Sequence, residues 1–375
     1  MMTEQISFPG RLAIQQRVLP AYRAPFFDAL AAACTGGLSV FAGQPLPGEQ
    51  IAPARELQVA KLVKAHNRHL FTVASPFYQC WQAGILDWLE RWQPGALIVE
   101  ANPRYPSTRR AVEWMHRRGR PVLGWGLGAP PLSGALAGWR RRSRLSFLRR
   151  LDGMIAYSQR GAQEYYALGF PDEALFVAPN AVAPRPTRPP PERPDRFFDK
   201  PLVLFVGRLQ ARKRLDLLLQ ACASLPPELQ PRLCIVGDGP ALPQLQELAS
   251  QLYPSAEFPG ACYGDELEQR FIRADLFALP GTGGLAVQQA MSYGLPVIVA
   301  QGDGTQDDLV RPENGWRIPP DDLPALVSAL HEALSDPIRL RSMGAASYRL
   351  VAEEANLERM VQVFLQALAS VVPEL

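Results

Sequence analysis

Short apolar runs alternate with helical patterns along the second half of the chain. The apolar runs, each about the length of one buried strand, cover residues 201–207, 232–237, 274–280 and 295–300. Leucine and alanine recur at helical spacing over residues 216–225, 242–252 and 285–293. Strands and helices that alternate in this way are typical of a parallel sheet with helices on both faces. We therefore predict a doubly wound α/β domain.

The first half shows a similar but less regular pattern. Its predicted strands are residues 38–42, 96–100, 121–125 and 154–158, and residues 107–118 form a predicted helix. Apolar residues recur every three or four positions near the end of the chain, which predicts a last helix over 356–370 that packs on a domain surface. We predict two Rossmann-like domains that face each other across a cleft, with ligands beyond the carboxyl ends of the strands.

A proline-rich segment divides the 375 residues almost in half. Residues 183–194 contain six prolines, which lock φ and remove backbone donors, so the segment is predicted to be an interdomain linker. The predicted parts are an N-terminal domain over 1–182, a linker over 183–200, a second domain over 201–352 and a C-terminal segment over 353–375. The last segment is expected to return to the first domain.

Composition excludes several classes of protein. The net charge of +3 gives no argument for nucleic acid, and no stretch reaches the roughly 18–20 apolar residues of a spanning helix. Five scattered cysteines without C-x-x-C spacing indicate reduced thiols and a cytoplasmic protein. His66 and His69 are three apart, as on one helix face, but no cysteine or acidic cluster accompanies them, so no metal site is predicted.

Two segments at predicted strand ends carry the chemistry. After Gly207, four cationic side chains fall within seven residues, namely Arg208, Arg212, Lys213 and Arg214. A second segment, PGTGGL over 280–285, follows another strand and opens a helix, whose first amides and dipole favour an anion. Alone, the first segment is better explained as a solvated basic loop. Together, the two indicate a cradle for a polyphosphate.

An ordered series of motifs resembles a known family. The motifs are FVGRL at 205–209 with Lys213, IVGDGP at 235–240, ADLFALP at 274–280, Gly284 with Leu285, and GLPVI at 294–298. Over about 201–335 the chain resembles the donor domain of the group 1 (family 4) retaining glycosyltransferases, which have the GT-B fold. The first half resembles the acceptor domain of that family only loosely.

The resemblance implies a role for each matching residue. Arg208 and Lys213 would neutralise the leaving diphosphate without a metal ion, and Gly207 precedes them at the strand end. The amides of the glycine-rich helix start belong to Gly283, Gly284 and Leu285. The implied activity is a retaining, metal-independent, hexosyl-type transfer from a nucleotide-diphosphate sugar, without a cofactor. The implied acceptor is a glycan or a lipid-linked molecule, in cell-surface polysaccharide or glycolipid synthesis.

Two positions depart from the family pattern. The family has two glutamates eight positions apart around this helix, and here they are Gly281 and Gln289. An amide can still bond ribose hydroxyls, whereas glycine offers the transferred sugar no side chain. A sugar-nucleotide epimerase of the same fold and a non-catalytic nucleotide-sugar-binding homologue therefore remain alternatives.

Other candidate residues lie outside these motifs. Asp303, Thr305 and Asp308 follow a strand of the second half and are candidates for binding donor hydroxyls, although an ordinary acidic helix start has the same pattern. On the acceptor side the candidates are Tyr22, Arg23, Glu100 and Asn102.

A basic segment interrupts the first half. Residues 139–150 combine apolar residues with six arginines, at 140, 141, 142, 144, 149 and 150. A basic amphipathic helix of this kind suits an anionic membrane surface. A solvated helix face and a nucleic-acid patch, which has a similar pattern, are the alternatives. We expect no nucleic-acid partner, and a cytoplasmic protein that lies on the inner face of the plasma membrane.

Overall fold

A computed structural model of the protein describes residues 7–46, 49, 51–72, 75–134, 136–283, 285–302 and 304–372. The chain forms two compact units. The first comprises residues 1–182 together with 357–375, and the second comprises residues 183–356.

The first unit is an α/β unit whose strands begin almost at its N-terminus. Its strands are β1 (Leu12–Val18), β2 (Leu38–Gly43), β3 (Lys61–Lys64), β4 (His66–Leu70), β5 (Gln79–Ala83), β6 (Ala96–Glu100), β7 (Val122–Gly126), β8 (Gly153–Ala156) and β9 (Leu175–Val177). Its helices before the linker are α1 (Ala24–Ala32), α2 (Ile85–Trp92), α3 (Pro106–His116), α4 (Ala137–Leu148) and α5 (Gln159–Tyr166).

Seven of these strands form one sheet in the order β3-β2-β1-β6-β7-β8-β9, with parallel neighbours throughout. Successive residues of β1 enter different cores, because side chains alternate across a strand. Leu12 and Ile14 belong to one hydrophobic cluster, and Ala13 belongs to the cluster on the other face. The sheet is therefore buried on both sides, as predicted for a doubly wound fold.

Strands β4 and β5 form a separate antiparallel pair. His66 and His69 lie in β4, so the expectation that they share a helix face is wrong. Residues three apart in a strand point to opposite faces, and the two rings therefore cannot act together. Within the described residues no group of histidines, cysteines and carboxylates is arranged to hold a metal ion.

The second unit repeats the architecture. Its strands are β10 (Leu202–Val206), β11 (Arg232–Val236), β12 (Glu257–Gly260), β13 (Leu276–Leu279), β14 (Val297–Ala300) and β15 (Gly315–Ile318). Its helices are α6 (Leu215–Ser224), α7 (Leu242–Leu252), α8 (Gly264–Arg273), α9 (Leu285–Ser292), α10 (Thr305–Leu309), α11 (Leu323–Ser335) and α12 (Pro337–Glu353). The parallel sheet has the order β12-β11-β10-β13-β14-β15, the order typical of a Rossmann-like sheet.

The last helix, α13 (Leu357–Val371), packs on the first unit although it follows the second in sequence. Its Phe364 ring lies 4.8 Å from that of Phe26 and 5.0 Å from that of Trp125, measured between centroids. The apolar face predicted for this helix thereby completes the core under one face of the seven-stranded sheet.

The proline-rich segment is fastened along the second unit and is not a free linker. The half-buried side chain of Arg193 donates to the carbonyl oxygens of Ala274, Tyr293 and Phe271 at 2.8, 2.9 and 3.0 Å. The Tyr348 hydroxyl donates to the Arg188 carbonyl at 2.8 Å. Because prolines leave few amides to pair, side chains make these attachments, Arg193 from the segment itself and Tyr348 from α12.

No helix among the residues that the structure describes combines the length and the apolar character needed to cross a membrane.

Candidate functional site

The two segments singled out by their chemistry meet at the edge of the second sheet. Strand β10 pairs with β11 on one side and with β13 on the other, so the sheet order reverses between β10 and β13. The loops that leave the carboxyl ends of these two strands diverge at such a point and leave a crevice where ligands bind in open α/β sheets. The basic loop follows β10, and the glycine-rich turn follows β13.

Hydrogen bonds join the two loops directly. The Thr282 amide donates to the Arg212 carbonyl at 3.0 Å, and the Arg212 guanidinium donates back to the Thr282 carbonyl at 3.0 Å. The Lys213 ammonium donates to the carbonyl oxygens of Thr282 and Gly283 at 2.9 and 3.1 Å. Lys213 thus lies against the start of α9, as the phosphate-cradle hypothesis requires.

The contact is so close that Gly281 has no room for a side chain. A Cβ built there would lie 2.2 Å from the Arg212 carbonyl oxygen and 2.5 Å from backbone atoms of Lys213. Gly283 has a φ of 77°, a conformation that favours glycine. The carboxylate absent from position 281 is therefore excluded by packing between the loops.

Burial changes the acidity of Lys213. Burial first, and the neighbouring Arg212 charge second, lower the pKa of the ammonium to about 8. An ammonium has three hydrogens, and two of them point to the carbonyl oxygens of the glycine-rich turn. One N–H remains for an anion. The charge of the ammonium, and with it the strength of a hydrogen bond to that anion, changes with pH around 8.

The other predicted donor residues surround this contact. Arg208 is exposed, and within the described residues its guanidinium has no hydrogen-bond or ion-pair partner. Leu285 begins α9, and Gln289 is half-buried one turn further along that helix. Gln288, its neighbour, is buried and donates to the Ala355 carbonyl, so only one of the two glutamines is available to a ligand.

The first unit has its own cavity, of about 830 Å³. It lies where the order of the seven-stranded sheet reverses, since β1 stands between β2 and β6. Its walls include the carboxyl ends of β1 and β6, the β4–β5 connection and one side of α4. Among the predicted acceptor residues, the cavity is lined by Tyr22, Glu100 and Asn102.

Glu100 stands deep in this cavity at the end of β6. Its carboxylate accepts the Arg17 amide at 2.7 Å. Burial raises the pKa of the Glu100 carboxyl above its usual value, against the opposing effect of the Arg17 amide and charge. A carboxyl of raised pKa at the floor of a cavity is a suitable partner for the hydroxyl group of a ligand.

Arg23 does not line the cavity. Its side chain is buried, and its guanidinium lies 5.6 Å from the centroid of the Trp125 ring and 5.5 Å from that of Tyr157. It also donates to the Asn180 side chain. Arg23 therefore supports the cavity wall from behind and does not face a ligand.

Residues 191–350 match the family model described as glycosyl transferases group 1. A sulfoquinovosyl transferase of Arabidopsis thaliana is 35% identical over 155 residues, which are 40% of this chain and 29% of that protein. A phosphatidylinositol monomannoside mannosyltransferase of Mycolicibacterium smegmatis is 30% identical over 52% of this chain and 56% of its own length. The chain thus spans only 29% and 56% of the lengths of these two relatives.

Other similarities extend over more of the chain. The lipopolysaccharide core glycosyltransferase LpsE of Rhizobium meliloti is 24% identical over 76% of this chain and 87% of its own length. The structure of Anabaena HepE in complex with UDP superposes with a TM-score of 0.67 at 16% identity, covering 96% of this chain and 99% of that one. The galactosyltransferase WaaB gives 0.66 at the same identity and coverage. The predicted GT-B fold is thereby confirmed.

Two predicted residues of the second unit, Gly284 and Asp303, lie outside the described residues. Thr305 is half-buried at the start of α10, a helix of five residues. It follows β14, which pairs with β13, so Thr305 belongs to the same edge of the sheet as the glycine-rich turn.

The sequence reasoning missed several polar residues around the cavity. The Arg17 guanidinium forms a bidentate ion pair with the Glu49 carboxylate, with N–O distances of 2.8 and 2.9 Å. Nδ1 of His69 and the Tyr78 hydroxyl are 2.8 Å apart. The sequence signal that could have indicated these residues is Arg17, which stands near the end of the apolar stretch 12–18 after Gln15 and Gln16.

Proposed function

We propose that the protein is a glycosyltransferase that moves a sugar from a nucleotide-diphosphate sugar to a glycan or lipid-linked acceptor, in cell-surface polysaccharide or glycolipid synthesis. The observation that carries this proposal is the hydrogen-bonded contact between the basic loop and the glycine-rich turn. This contact brings cationic side chains and the start of α9 together where the order of the Rossmann-like sheet reverses. The match of residues 191–350 to the family model of the group 1 glycosyl transferases supports the same conclusion.

The proposed donor site neutralises the leaving diphosphate with protein charges. The exposed Arg208 guanidinium and the third N–H of Lys213 are the donors, and the first amides of α9, beginning with Leu285, add to them. Charge that develops on the leaving group would be stabilised by groups already in place. The proposed reaction therefore needs neither a metal ion nor a cofactor, and Gln289 would bond the ribose.

The finer features of the reaction belong to the same proposal. Transfer of a hexose is supported by relatives named as mannosyltransferases and by a structural neighbour named as a galactosyltransferase. Retention of the anomeric configuration follows from the family resemblance alone. On the acceptor side, Glu100, Asn102 and Tyr22 would contact the acceptor in the first-unit cavity.

We also propose that the protein works at the inner face of the plasma membrane, without a nucleic-acid partner. Arg141, Arg142 and Arg149 of the basic segment are exposed, as are the neighbouring Leu136 and Trp139. Cations beside exposed apolar side chains suit the surface of an anionic bilayer. Replacing the six arginines between 140 and 150 with serine should release the protein from anionic vesicles in a sedimentation assay.

Calorimetric titration with UDP and GDP tests the donor site. Arg208→Ala should weaken binding by about 1.5–3 kcal/mol, the usual contribution of a hydrogen bond to a charged group. Arg273→Ala is the matched control, because Arg273 is exposed at the end of α8, before β13 begins, and so belongs to the opposite edge of the sheet. Equal affinity of the Arg208 variant and the wild type would refute the proposed donor site.

The space around Gly281 also favours a second candidate, a nucleotide-sugar-binding protein without transferase activity. No side chain fits at that position, so the transferred sugar lacks the family's carboxylate there. Tight binding of a nucleotide sugar with no transfer to any membrane or glycan extract would support this candidate. An epimerase would instead convert a nucleotide sugar without an acceptor.

A further inference from the structure

We infer that the first-unit cavity binds an acceptor that joins a phosphate group to an apolar chain. This inference rests on the proposed function, since it names the chemical class of the acceptor. Two sets of side chains around the cavity carry it, one cationic and one apolar.

Arginines outnumber carboxylates in the lining of the cavity, where Glu100 is the acidic residue among four arginines. Arg104, Arg140 and Arg144 all line the cavity, and none of them forms an ion pair within the described part of the chain. Arg17, a fourth lining residue, is by contrast neutralised by Glu49. Like charges that converge in excess of the opposite charge favour the binding of an anion.

The environment of Arg144 disfavours the positive charge of its guanidinium. Burial first, and the charges of Arg140 and Arg104 as well, lower the pKa of its guanidinium, while Glu164 and Tyr165 act in the opposite direction. The Glu164 carboxylate accepts the Ala129 amide at 2.8 Å and lies 3.6 Å from the Arg160 guanidinium. It is thus engaged elsewhere, and a bound phosphate would relieve the repulsion among the arginines.

The apolar set surrounds the same cavity. Phe71, Phe77, Leu127 and Trp139 line it, yet their exposed fractions are 67%, 49%, 52% and 58%. Clustered exposure of large apolar side chains marks a binding surface in soluble proteins. Phe71 even has a φ of 64°, a conformation that is costly for a bulky residue. A sugar or an inorganic anion would leave these side chains in water, whereas an acyl or isoprenoid chain would cover them.

Helix α4 supplies a matched pair of variants. Arg140 and Arg144 are four residues apart, half-buried and turned to the cavity. Arg141 and Arg142 are exposed and do not line it. Arg140→Ser/Arg144→Ser and Arg141→Ser/Arg142→Ser remove the same charge from one helix, so they separate the cavity from the general attraction of a basic surface.

The experiment titrates the full-length protein with dihexanoyl phosphatidic acid below its micelle concentration. Dihexanoyl phosphatidylcholine and inorganic phosphate are the comparison ligands, and calorimetry measures the affinities. Circular dichroism and UDP titration of each variant report the fold and the donor site independently. Phosphatidic acid should bind at least about tenfold more tightly than either comparison ligand, because only it satisfies both sets of side chains.

The two arginine double variants should differ clearly in their affinity for phosphatidic acid. Arg140→Ser/Arg144→Ser should lose about tenfold or more of the phosphatidic acid affinity, and Arg141→Ser/Arg142→Ser should change it less than about twofold. Phe71→Ser/Phe77→Ser should weaken the binding of phosphatidic acid but leave the affinity for inorganic phosphate unchanged.

Three results would overturn the inference. The first is an equal loss in both arginine pairs, which would indicate surface attraction only. The second is inorganic phosphate that binds as tightly as phosphatidic acid, which would indicate a free or sugar phosphate. The third is no binding of phosphatidic acid by a protein that still binds UDP, which would refute the acceptor class alone. If the wild-type protein binds phosphatidic acid but does not bind UDP, the proposed donor site would be refuted instead.

Discussion

At the scale of single residues, Lys213 combines a structural and a chemical task. Two of its N–H groups hold the glycine-rich turn, and the third is free for an anion. The same burial that positions the ammonium lowers its pKa to about 8, so the group loses its charge just above neutral pH. The resemblance to a known family named this residue, but only its contacts explain why its charge should respond to pH.

Nucleotide binding should therefore depend on pH through Lys213. A lowered pKa means that the ammonium is mostly charged at pH 7 and mostly neutral at pH 9, so UDP affinity should fall between them by roughly five- to tenfold. Calorimetry near pH 8 should also detect proton uptake on binding. Lys213→Arg, which stays charged throughout, should flatten the profile. A wild-type affinity that is the same at pH 7 and pH 9 would contradict this account.

Gln289 and Gln288 are adjacent, and they should behave differently when replaced. Gln289→Ala should weaken nucleotide binding by about 1–2 kcal/mol, the cost of leaving a ribose hydroxyl without its partner, with little effect on stability. Gln288→Ala should lower the melting temperature, because the buried Gln288 amide donates to the Ala355 carbonyl. Unchanged UDP affinity in the Gln289 variant would remove its proposed role.

At the scale of elements, the site depends on how closely two loops approach. The turn after β13 and the loop after β10 exchange backbone and side-chain hydrogen bonds around Arg212 and Thr282. Gly281 allows this approach, because any side chain there would meet the opposite backbone. The departure from the family pattern at this position thus has a physical cause within the protein.

Gly281→Ala should separate the two loops. Inserting a methyl group into a packed contact costs about 1–3 kcal/mol, and the displaced Lys213 should weaken UDP binding by about 1.4 kcal/mol or more, which is tenfold. Gly138→Ala, where the added carbon meets nothing within 4 Å, is the control and should leave binding unchanged. The close-contact argument fails if the Gly281 variant has wild-type stability and affinity.

At the scale of the whole molecule, the chain returns to its first unit at the end. Helix α13 places Phe364 against Phe26 and Trp125, more than 200 positions away in sequence. The stability of the first unit therefore depends on residues that come after the entire second unit.

Phe364→Ala should accordingly destabilise the first unit. Loss of a fully buried phenylalanine costs about 3–5 kcal/mol, and differential scanning calorimetry should show one transition at a lower temperature. The transition that UDP raises, assigned to the second unit, should not move. Phe198→Ala, at an exposed phenylalanine, should shift neither transition measurably. A downward shift of the UDP-sensitive transition instead would show that α13 does not act on the first unit.

Much of the fold could be predicted because its strands are buried on both faces. Strands such as β6, β10 and β13 have apolar runs without interruption, and α7 has the predicted bounds. Strand β1, in the interior of the first sheet, was missed because Gln15 and Gln16 break its pattern. Gln15 is tolerated there since its amide bonds Gln82 at 2.5 Å and the Glu100 amide at 3.2 Å. Such partners are distant in sequence and invisible to a local pattern.

The sequence by itself determined the two α/β halves, the resemblance of the second one to a known family and the residue types for holding a diphosphate. These properties depend on local periodicity and on short motifs, which a linear pattern records. Only the tertiary structure decided that Arg212 and Lys213 hydrogen-bond the glycine-rich turn and that Arg23 is buried. It also decided that three arginines without an ion pair among the described residues share a cavity with exposed aromatic rings. Those properties depend on which strand ends are neighbours in a sheet, and on burial that only packing creates.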